Sequence, residues 1–313
     1  MMMPSHNQRS ATPIFSGLIV ILALAALLRF YLLDGQSFWN DEGNSARLAE
    51  RSLPLITEGA AGDIHPPLYY YLLHGWRSLF GSSEFALRSL SAVLGVLLVG
   101  LTFLIGRRVF GAGVGVLAAL LAAINPFQIY YSQEARMYML LAVIGTAATW
   151  LLFRLLMDWH PEEQATGRGR WSSVLLHLSL TLLYAAGLYT HYAFPFIIFT
   201  HLVIVAMGAR VRRQSIKRLT PWIGVTAAAG VLFIPWLPIA IRQITTWPST
   251  PSSQNMGAML LDTARLYLLG LTFPSAEAVT ALIISGFFLI ISLWNPDFDE
   301  RRADDAAVRV DNR

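Results

Sequence analysis

Two carboxylates stand side by side in Phe38-Trp39-Asn40-Asp41-Glu42-Gly43, and a second acid–base grouping, Glu134 and Arg136, lies far along the chain among Tyr130, Tyr131 and Tyr138. A carboxylate held beside a hydroxyl can take its proton as a bond forms, a contribution of about 10²–10⁴-fold. A guanidinium is well shaped to hold a phosphate through two parallel hydrogen bonds. His65, directly before Pro66-Pro67, and His191, in Tyr189-Thr190-His191-Tyr192, add imidazoles that can donate to the same kind of anion. Each residue also has a plainer reading. Asp41 and Glu42 suit the first turn of a helix, where an acid stabilises by about 0.3–1 kcal/mol. A Glu–Arg pair can simply make a short turn polar, and a histidine at a membrane edge is more often a satisfied interfacial side chain than a ligand. Residue type leaves both readings open.

The elements that must position these residues are membrane helices. Of 313 residues, 55% are hydrophobic and 13% charged, with a mean hydropathy of +0.52. Soluble domains carry about 25% charged residues, so an ordinary soluble enzyme, a disordered chain and a nucleic-acid-binding protein are excluded. The formal charge of +4 does not argue otherwise, because only Lys217 is a lysine and the arginines cluster between apolar runs. Without cysteine there is no disulfide, thiolate metal site or cysteine nucleophile.

Apolar runs of about 20 residues are the signature of spanning helices. Eight are expected, at 13–33, 85–106, 112–131, 137–157, 172–190, 192–209, 220–241 and 275–294. The first is too long for a signal-peptide core and lacks a small-residue cleavage site, so it reads as an uncleaved helix. With the N-terminus inside, 15 basic residues fall on the inner side and 7 outside, Arg29 staying in the first span. The positive-inside rule selects that orientation. The divisions are then an inner N-terminus, 1–12, a membrane domain, 13–294, and a charged, unstructured inner tail, 295–313.

This topology gives the outer face one long loop, 34–84, and a moderate one, 242–274. Ten of the 19 acids lie outside. Within the long loop, 40–52 and 66–81 read as short amphipathic helices on the membrane surface, with Asn40 the expected N-cap of the first, Pro66 near the start of the second and Gly81 its stop. Arg29 is costly to bury and is expected to snorkel outward or pair with Asp34. Gly111 and Gly115 have a spacing that permits close helix packing. No P-loop, His-Glu-x-x-His or nucleophile-elbow serine is present.

Five segments, in order and between the right spans, resemble the polyprenyl-phosphate-dependent glycosyltransferases of the GT-C superfamily. The likeness is to the family 39-like branch of protein O-mannosyltransferases, aminoarabinose transferases and Rgt-type bacterial enzymes. The segments are 38–43, 63–74 (Asp63-Ile64-His65-Pro66-Pro67-Leu68 and onward), 80–91, 125–138 and 189–192. The resemblance covers about residues 20–240. It implies an all-α polytopic bundle of about eight transmembrane helices, with a juxtamembrane-helix outer loop and an active site at the outer interface. It also implies an inverting reaction, in which a sugar moves from a polyprenyl phosphate to an acceptor hydroxyl on a glycolipid, polysaccharide or protein of the envelope. The family's essential acid matches Asp41, with Glu42 beside it, and its second polar motif matches Glu134 and Arg136.

On that reading Asp41 is the base, with Glu42 its catalytic neighbour. Arg136 leads the donor-phosphate ligands, Arg88 is second, and His65 and His191 are further donors. Glu42 and Glu134 would orient sugar hydroxyls or hold a divalent cation with the phosphate, and Tyr131 and its fellow tyrosines suit sugar stacking. The sequence requires no cofactor and no metal. The partners implied are the lipid-linked donor, the acceptor and the bilayer of an inner or plasma membrane. Many relatives continue with further spans and some with an outer C-terminal domain, so the likeness carries no acceptor site to this chain. Two other readings stand beside it: a transporter or flippase of a lipid-linked saccharide, and a truncated relative that binds the donor without catalysis.

Overall fold

The computed structural model describes residues 11–157, 167–211, 219–246 and 256–269, and among them every regular element is helical. The order is α1 (Ala11–Phe30), α2 (Asn40–Ala49), α3 (Leu53–Gly62), α4 (Leu68–Phe80), α5 (Glu84–Phe110), α6 (Ala112–Ile124) and α7 (Pro126–Ser132). There follow α8 (Tyr138–Met157), α9 (Gly167–Leu188), α10 (Phe194–Val211), α11 (Thr220–Phe233), a 3₁₀ turn (Ile234–Trp236), α12 (Leu237–Thr245) and α13 (Met256–Leu269). The all-α membrane bundle is what the apolar runs require, since hydrocarbon leaves no partner for an open backbone.

Among the described residues five helices are long and apolar enough to cross a membrane: α5, α8, α9, α10, and α11 with its continuation to Thr245. The pair α6–α7 is apolar enough to make a sixth only if its two helices, bent by 60° at the break, are taken as one span. Proline causes the bend, because Pro126 lacks an N–H and disfavours helical geometry at Asn125. The expected span 112–131 is therefore broken at Asn125. α1 contributes a shorter apolar stretch, Ile14–Phe30. The eighth expected span, 275–294, and the tail, 295–313, lie outside the described residues.

Chain contacts divide the molecule into a main unit, 1–124 with 128–250, and a second unit, 125–127 with 251–313. Within the second, Asn125 Nδ2 donates to the Tyr267 carbonyl at 2.9 Å and the Phe127 and Tyr267 rings lie 4.6 Å apart. The main unit has two apolar cores. The smaller joins Ile21 and Ala25 of α1, Val99 and Phe103 of α5, and Ala119, Ala122 and Ala123 of α6. The larger runs from the outer-loop helices (Leu48, Ile56, Tyr69, Leu73) down through α5, α8, α9, α10 and α11. Small residues allow the closest approach, as expected where lipid gives helices no hydrophobic drive to associate. A Cβ on Gly106 would lie 2.9 Å from Gly115 Cα, so Gly115 packs against Gly106 and not in a pair with Gly111. Gly111, at φ +97°, instead caps the end of α5.

The outer loop contains three helices where two were expected. The extra one, α3, starts after Ser52 with Pro54 in its first turn, and its run Leu-Pro-Leu-Ile-Thr-Glu-Gly-Ala-Ala-Gly shows too few polar residues for an amphipathic pattern. α2 also starts one residue early: its N-cap is Trp39, and Asn40 lies inside the helix. α4 behaves as read, ending at Gly81 with φ +95°. The first N–H of α4, Leu68, donates to the Tyr189 carbonyl at 3.0 Å, which ties this surface helix to the α9–α10 turn.

Arg29 neither snorkels nor pairs with Asp34. It is fully buried, donating to the carbonyls of Ala123 at 2.9 Å and Ala122 at 3.0 Å. These belong to the last turn of α6, whose final carbonyls have no intrahelical partner and carry the negative end of the helix dipole. The broken span supplies the acceptors that make the buried cation tolerable.

Candidate active site

Asp41 and Arg136 meet at one end of the main unit. Asp41 occupies the first turn of α2; Arg136 lies in the turn 133–137 between α7 and α8. Arg136 Nη2 is 3.3 Å from Asp41 Oδ2, and Nη1 donates to the Asp41 carbonyl at 3.2 Å. The two are unequally exposed. The Asp41 side chain is 39% accessible and that of Arg136 only 6%, so the carboxylate faces solvent while the guanidinium forms the floor. Arg136 Nε is buried without a hydrogen-bond partner. Burial acts to lower its pKa, but Tyr138, Tyr70 and Asp41 outweigh this and raise it, so the cation is secure.

Glu42 and Arg88 form a different kind of pair. Glu42 accepts from Arg88 Nε at 2.9 Å and Nη2 at 2.6 Å, and both residues are almost wholly buried. Arg88 Nη1 donates to the carbonyls of Leu33 (2.6 Å) and Gln36 (2.8 Å), and Nη2 to that of Ser37 (3.3 Å). A guanidinium has five N–H groups, and each finds an acceptor within the chain. Glu42 Oε1 also accepts the Ala135 N–H at 2.8 Å. The pair thus joins the end of α1, the start of α2, α5 and the Arg136 turn. Arg88 was expected among the phosphate ligands and Glu42 beside the base; the structure commits their polar groups to one another and to backbone.

The remaining residues form a continuous strip. The Arg136 guanidinium lies 5.8 Å from the Tyr138 ring centroid, Tyr138 is 6.3 Å from His191, and His191 is 5.7 Å from His65. Tyr131 meets Tyr138 edge-on at 4.9 Å. His65 Nδ1 is 3.5 Å from Asp63 Oδ2, which also accepts the Tyr70 hydroxyl at 3.1 Å. Burial works against charge on Asp63, but hydrogen bonds from His65, the Ile64 backbone and Tyr70 hold its carboxyl below the usual range. The His191 ring is pushed down to about 4, mainly by burial and further by His65 and Arg136. It is neutral at pH 7, and because Nδ1 accepts the Ala193 N–H at 3.0 Å, its proton sits on Nε2.

Glu134 lines the same turn, with its carboxyl raised above the ordinary value chiefly by burial, against a hydrogen bond from Tyr130. The structure therefore brings Asp41, Arg136, Glu134, Tyr131, His191 and His65 to one face, and sets Glu42 and Arg88 beneath them. Sequence reasoning passed over three residues. Asp63 had a signal, standing two positions before His65. Gln133, which donates to the Tyr31 carbonyl at 2.9 Å at the end of α1, and Gln243, described below, had none, because a lone glutamine is a common residue. Among the described residues no group of three or more His, Asp or Glu is arranged to hold a metal ion.

Comparison with solved structures places this architecture. The archaeal oligosaccharyltransferase AglB from Archaeoglobus fulgidus, in complex with an inhibitory peptide and a dolichol-phosphate, is similar with a TM-score of 0.57 at 18% identity over 93% of this chain and 38% of that one. ArnT from Cupriavidus metallidurans in the apo state gives 0.56 at 17% identity, over 90% of this chain and 50% of that one. The S. cerevisiae protein O-mannosyltransferase Pmt1-Pmt2 complex bound to the sugar donor gives 0.53 at 16%, over 85% and 38%. The chain thus spans half or less of the length of these relatives. A search of curated proteins finds no match. The fold is that of the GT-C membrane glycosyltransferases. Residues 64–239, more than half of the chain, match the family of dolichyl-phosphate-mannose-protein mannosyltransferases, and the chain belongs to that family. The match includes His65, Arg88, Glu134, Arg136 and His191; Asp41 and Glu42 precede it.

Proposed function

We propose that the chain carries the donor-side catalytic centre of an inverting glycosyltransferase, which moves a sugar from a polyprenyl phosphate to a hydroxyl of an envelope acceptor at the outer face of an inner or plasma membrane. The observation that carries this reading is the Asp41–Arg136 pair, an accessible carboxylate against a buried guanidinium with Nε unpartnered. Asp41 takes the proton of the acceptor hydroxyl, whose oxygen bonds to the anomeric carbon. The bond from that carbon to the phosphate oxygen breaks, and its electron pair leaves with polyprenyl phosphate. Negative charge grows on that oxygen, where a preorganised cation stabilises the transition state more than the ground state. Arg136 supplies the cation and His191 Nε2–H a neutral donor. His65 completes the donor site, and Glu134 and Tyr131 face the sugar. Glu42 and Arg88 act by fixing α2 and the Arg136 turn.

The lipid donor is supported by the dolichol-phosphate of the AglB complex and the sugar donor of the Pmt1-Pmt2 complex. Transfer is favoured over passage of a lipid-linked saccharide by Arg29, the charge expected within the first span, whose guanidinium is committed to the end of α6. The test is transfer by the purified chain in lipid nanodiscs, with polyprenyl-phosphate-linked sugars and envelope extract. Release of polyprenyl phosphate that depends on acceptor and is lost in Asp41→Asn supports the reading. Movement of the lipid-linked sugar across liposomes with no release would replace it with the transporter.

A further inference from the structure

We infer that Gln243, in α12, is a positioning residue for the transfer proposed above. It fixes the turn that carries Asp63 and His65, so the inference rests on that reading for its functional part. Gln243 is 3% exposed and lies 180 positions from the turn in sequence. Its side-chain nitrogen faces three carbonyls, those of Ala60 at 2.7 Å, Ala61 at 3.2 Å and Asp63. Arg242 Nη2 adds a second bond to the Ala61 carbonyl at 2.7 Å. Ala60 and Ala61 lie in the last turn of α3, where carbonyls lack the usual i+4 partner; that of Ala60 accepts the Asp63 N–H at 3.2 Å as well as the Gln243 amide. α12 therefore caps α3 from another part of the chain.

The orientation of the amide is determined. Trp236 Nε1 donates to the Tyr192 hydroxyl at 3.1 Å, and that hydroxyl donates to Gln243 Oε1. The amide oxygen is thus the end of a donor chain and the nitrogen must face the carbonyls, which only accept. Tyr192 adjoins His191, and Asp63 is two residues from His65, so Gln243 bridges the two segments whose imidazoles lie 5.7 Å apart. The outward side of α12, with Leu237, Ile241 and Ile244, is apolar and exposed. A few tenths of an ångström of freedom in this turn moves His65 against the donor, and a misplacement of about 1 Å is enough to cost about 10²-fold.

The experiment uses the full chain in nanodiscs. Gln243→Met keeps the shape and removes the donors; Tyr192→Phe removes only the hydroxyl on Oε1 and guards against a fold-wide effect of the first variant. Hydrogen exchange of the segment 58–68 is expected to accelerate in both, more in Gln243→Met, with the protection of α5 and α8 unchanged. The donor KM is expected to rise about 10-fold or more in Gln243→Met with a smaller change in kcat. His65→Ala should raise KM likewise, and Gln243→Met in the His65→Ala background should add little, whereas independent sites would add in full. Unchanged exchange, or fully additive losses, overturns the assignment. If the wild-type chain transfers no sugar from any donor, the transferase reading fails. Exchange then decides the brace alone, with acceleration confined to 58–68 sustaining it and no acceleration overturning it.

Discussion

Glu42 and Arg88, 46 positions apart, form a two-pronged ion pair with contacts of 2.9 and 2.6 Å, and the other donors of Arg88 close on backbone carbonyls. Asp41, next in the chain to Glu42, turns the other way and stays accessible beside Arg136. A helix places adjacent residues about 100° apart, so one acid of the pair is structural because the other is not. Of the two adjacent carboxylates, one is a buried anchor and the other stays accessible beside Arg136.

Loss of Arg88 is therefore expected to destabilise the fold before it alters chemistry. Arg88→Ala leaves Glu42 buried without its cation, a situation that costs about 3–5 kcal/mol. Arg88→Lys offers a compact ammonium in place of a planar fork and cannot meet all the same acceptors. Thermal unfolding in detergent, followed by tryptophan fluorescence, should show a large drop for the first variant and an intermediate one for the second. A melting curve unchanged by Arg88→Ala contradicts the anchoring role.

Asp41→Asn should do the reverse. The side chain is half exposed and nearly isosteric with its replacement, so melting should move little. Transfer should fall by about 10²–10⁴-fold, the contribution of a positioned proton acceptor. Measured transfer within a few-fold of wild type would remove Asp41 from the base role.

The spans within the described residues and the grouping of Asp41 with Arg136 were legible because each rests on a strong, local or repeated signal. Runs of apolar residues and ordered short motifs survive without knowledge of packing. Arg29 and Arg88 escaped for a shared reason: both donate to backbone carbonyls, Arg88 beside its pair with Glu42, and side-chain types say nothing about which carbonyls a fold leaves open. The break at Pro126 exposes those of Ala122 and Ala123, and the turn and bend at 33–37 expose the others. α3 escaped because its near-uniform apolarity hides its period. Gln243 escaped because its partners are main chain, far away in sequence.

Arg136→Lys keeps the charge and loses the fork. Hydrogen bonds to charged groups contribute about 1.5–3 kcal/mol each, so losing one should weaken binding of polyprenyl phosphate by roughly 10–100-fold. Arg136→Ala should weaken it further. Isothermal titration with a short-chain polyprenyl phosphate reads this without any acceptor. Equal affinities in wild type and Arg136→Lys would show that the fork does not engage the phosphate.

Gly95 tests the packing around the buried Arg29. A Cβ at this position would lie 2.2 Å from Ser132 Oγ and 2.7 Å from Arg29 Nε. Overpacking of this kind costs about 1–3 kcal/mol, and here the groups pushed are the cation at the end of α6 and its neighbour. Gly95→Ala should lower the melting temperature, while Gly100→Ala, on the same helix with open space at its Cβ, should not. Equal melting for the two would mean that the α1–α5–α6 layer yields more easily than its geometry implies.

His191 and Glu134 give stability opposite dependences on pH. The His191 pKa is depressed to about 4, so between its ordinary value near 6.5 and about 4 the unfolded chain binds a proton that the folded chain refuses. Its contribution is present above pH 6.5 and is lost as pH falls toward 4. Glu134 is shifted upward: the folded chain holds its proton at a pH where the unfolded chain has released it. Its contribution is present below the ordinary value of 4.5 and is lost as pH rises through the raised one. Between pH 4.5 and 7 the two groups contribute opposite slopes to the wild-type melting temperature. Removing His191 as Gln should flatten the rise toward neutral pH, and removing Glu134 as Gln should steepen it. Slopes that move together in the two variants would contradict the opposite burial effects assigned to these groups.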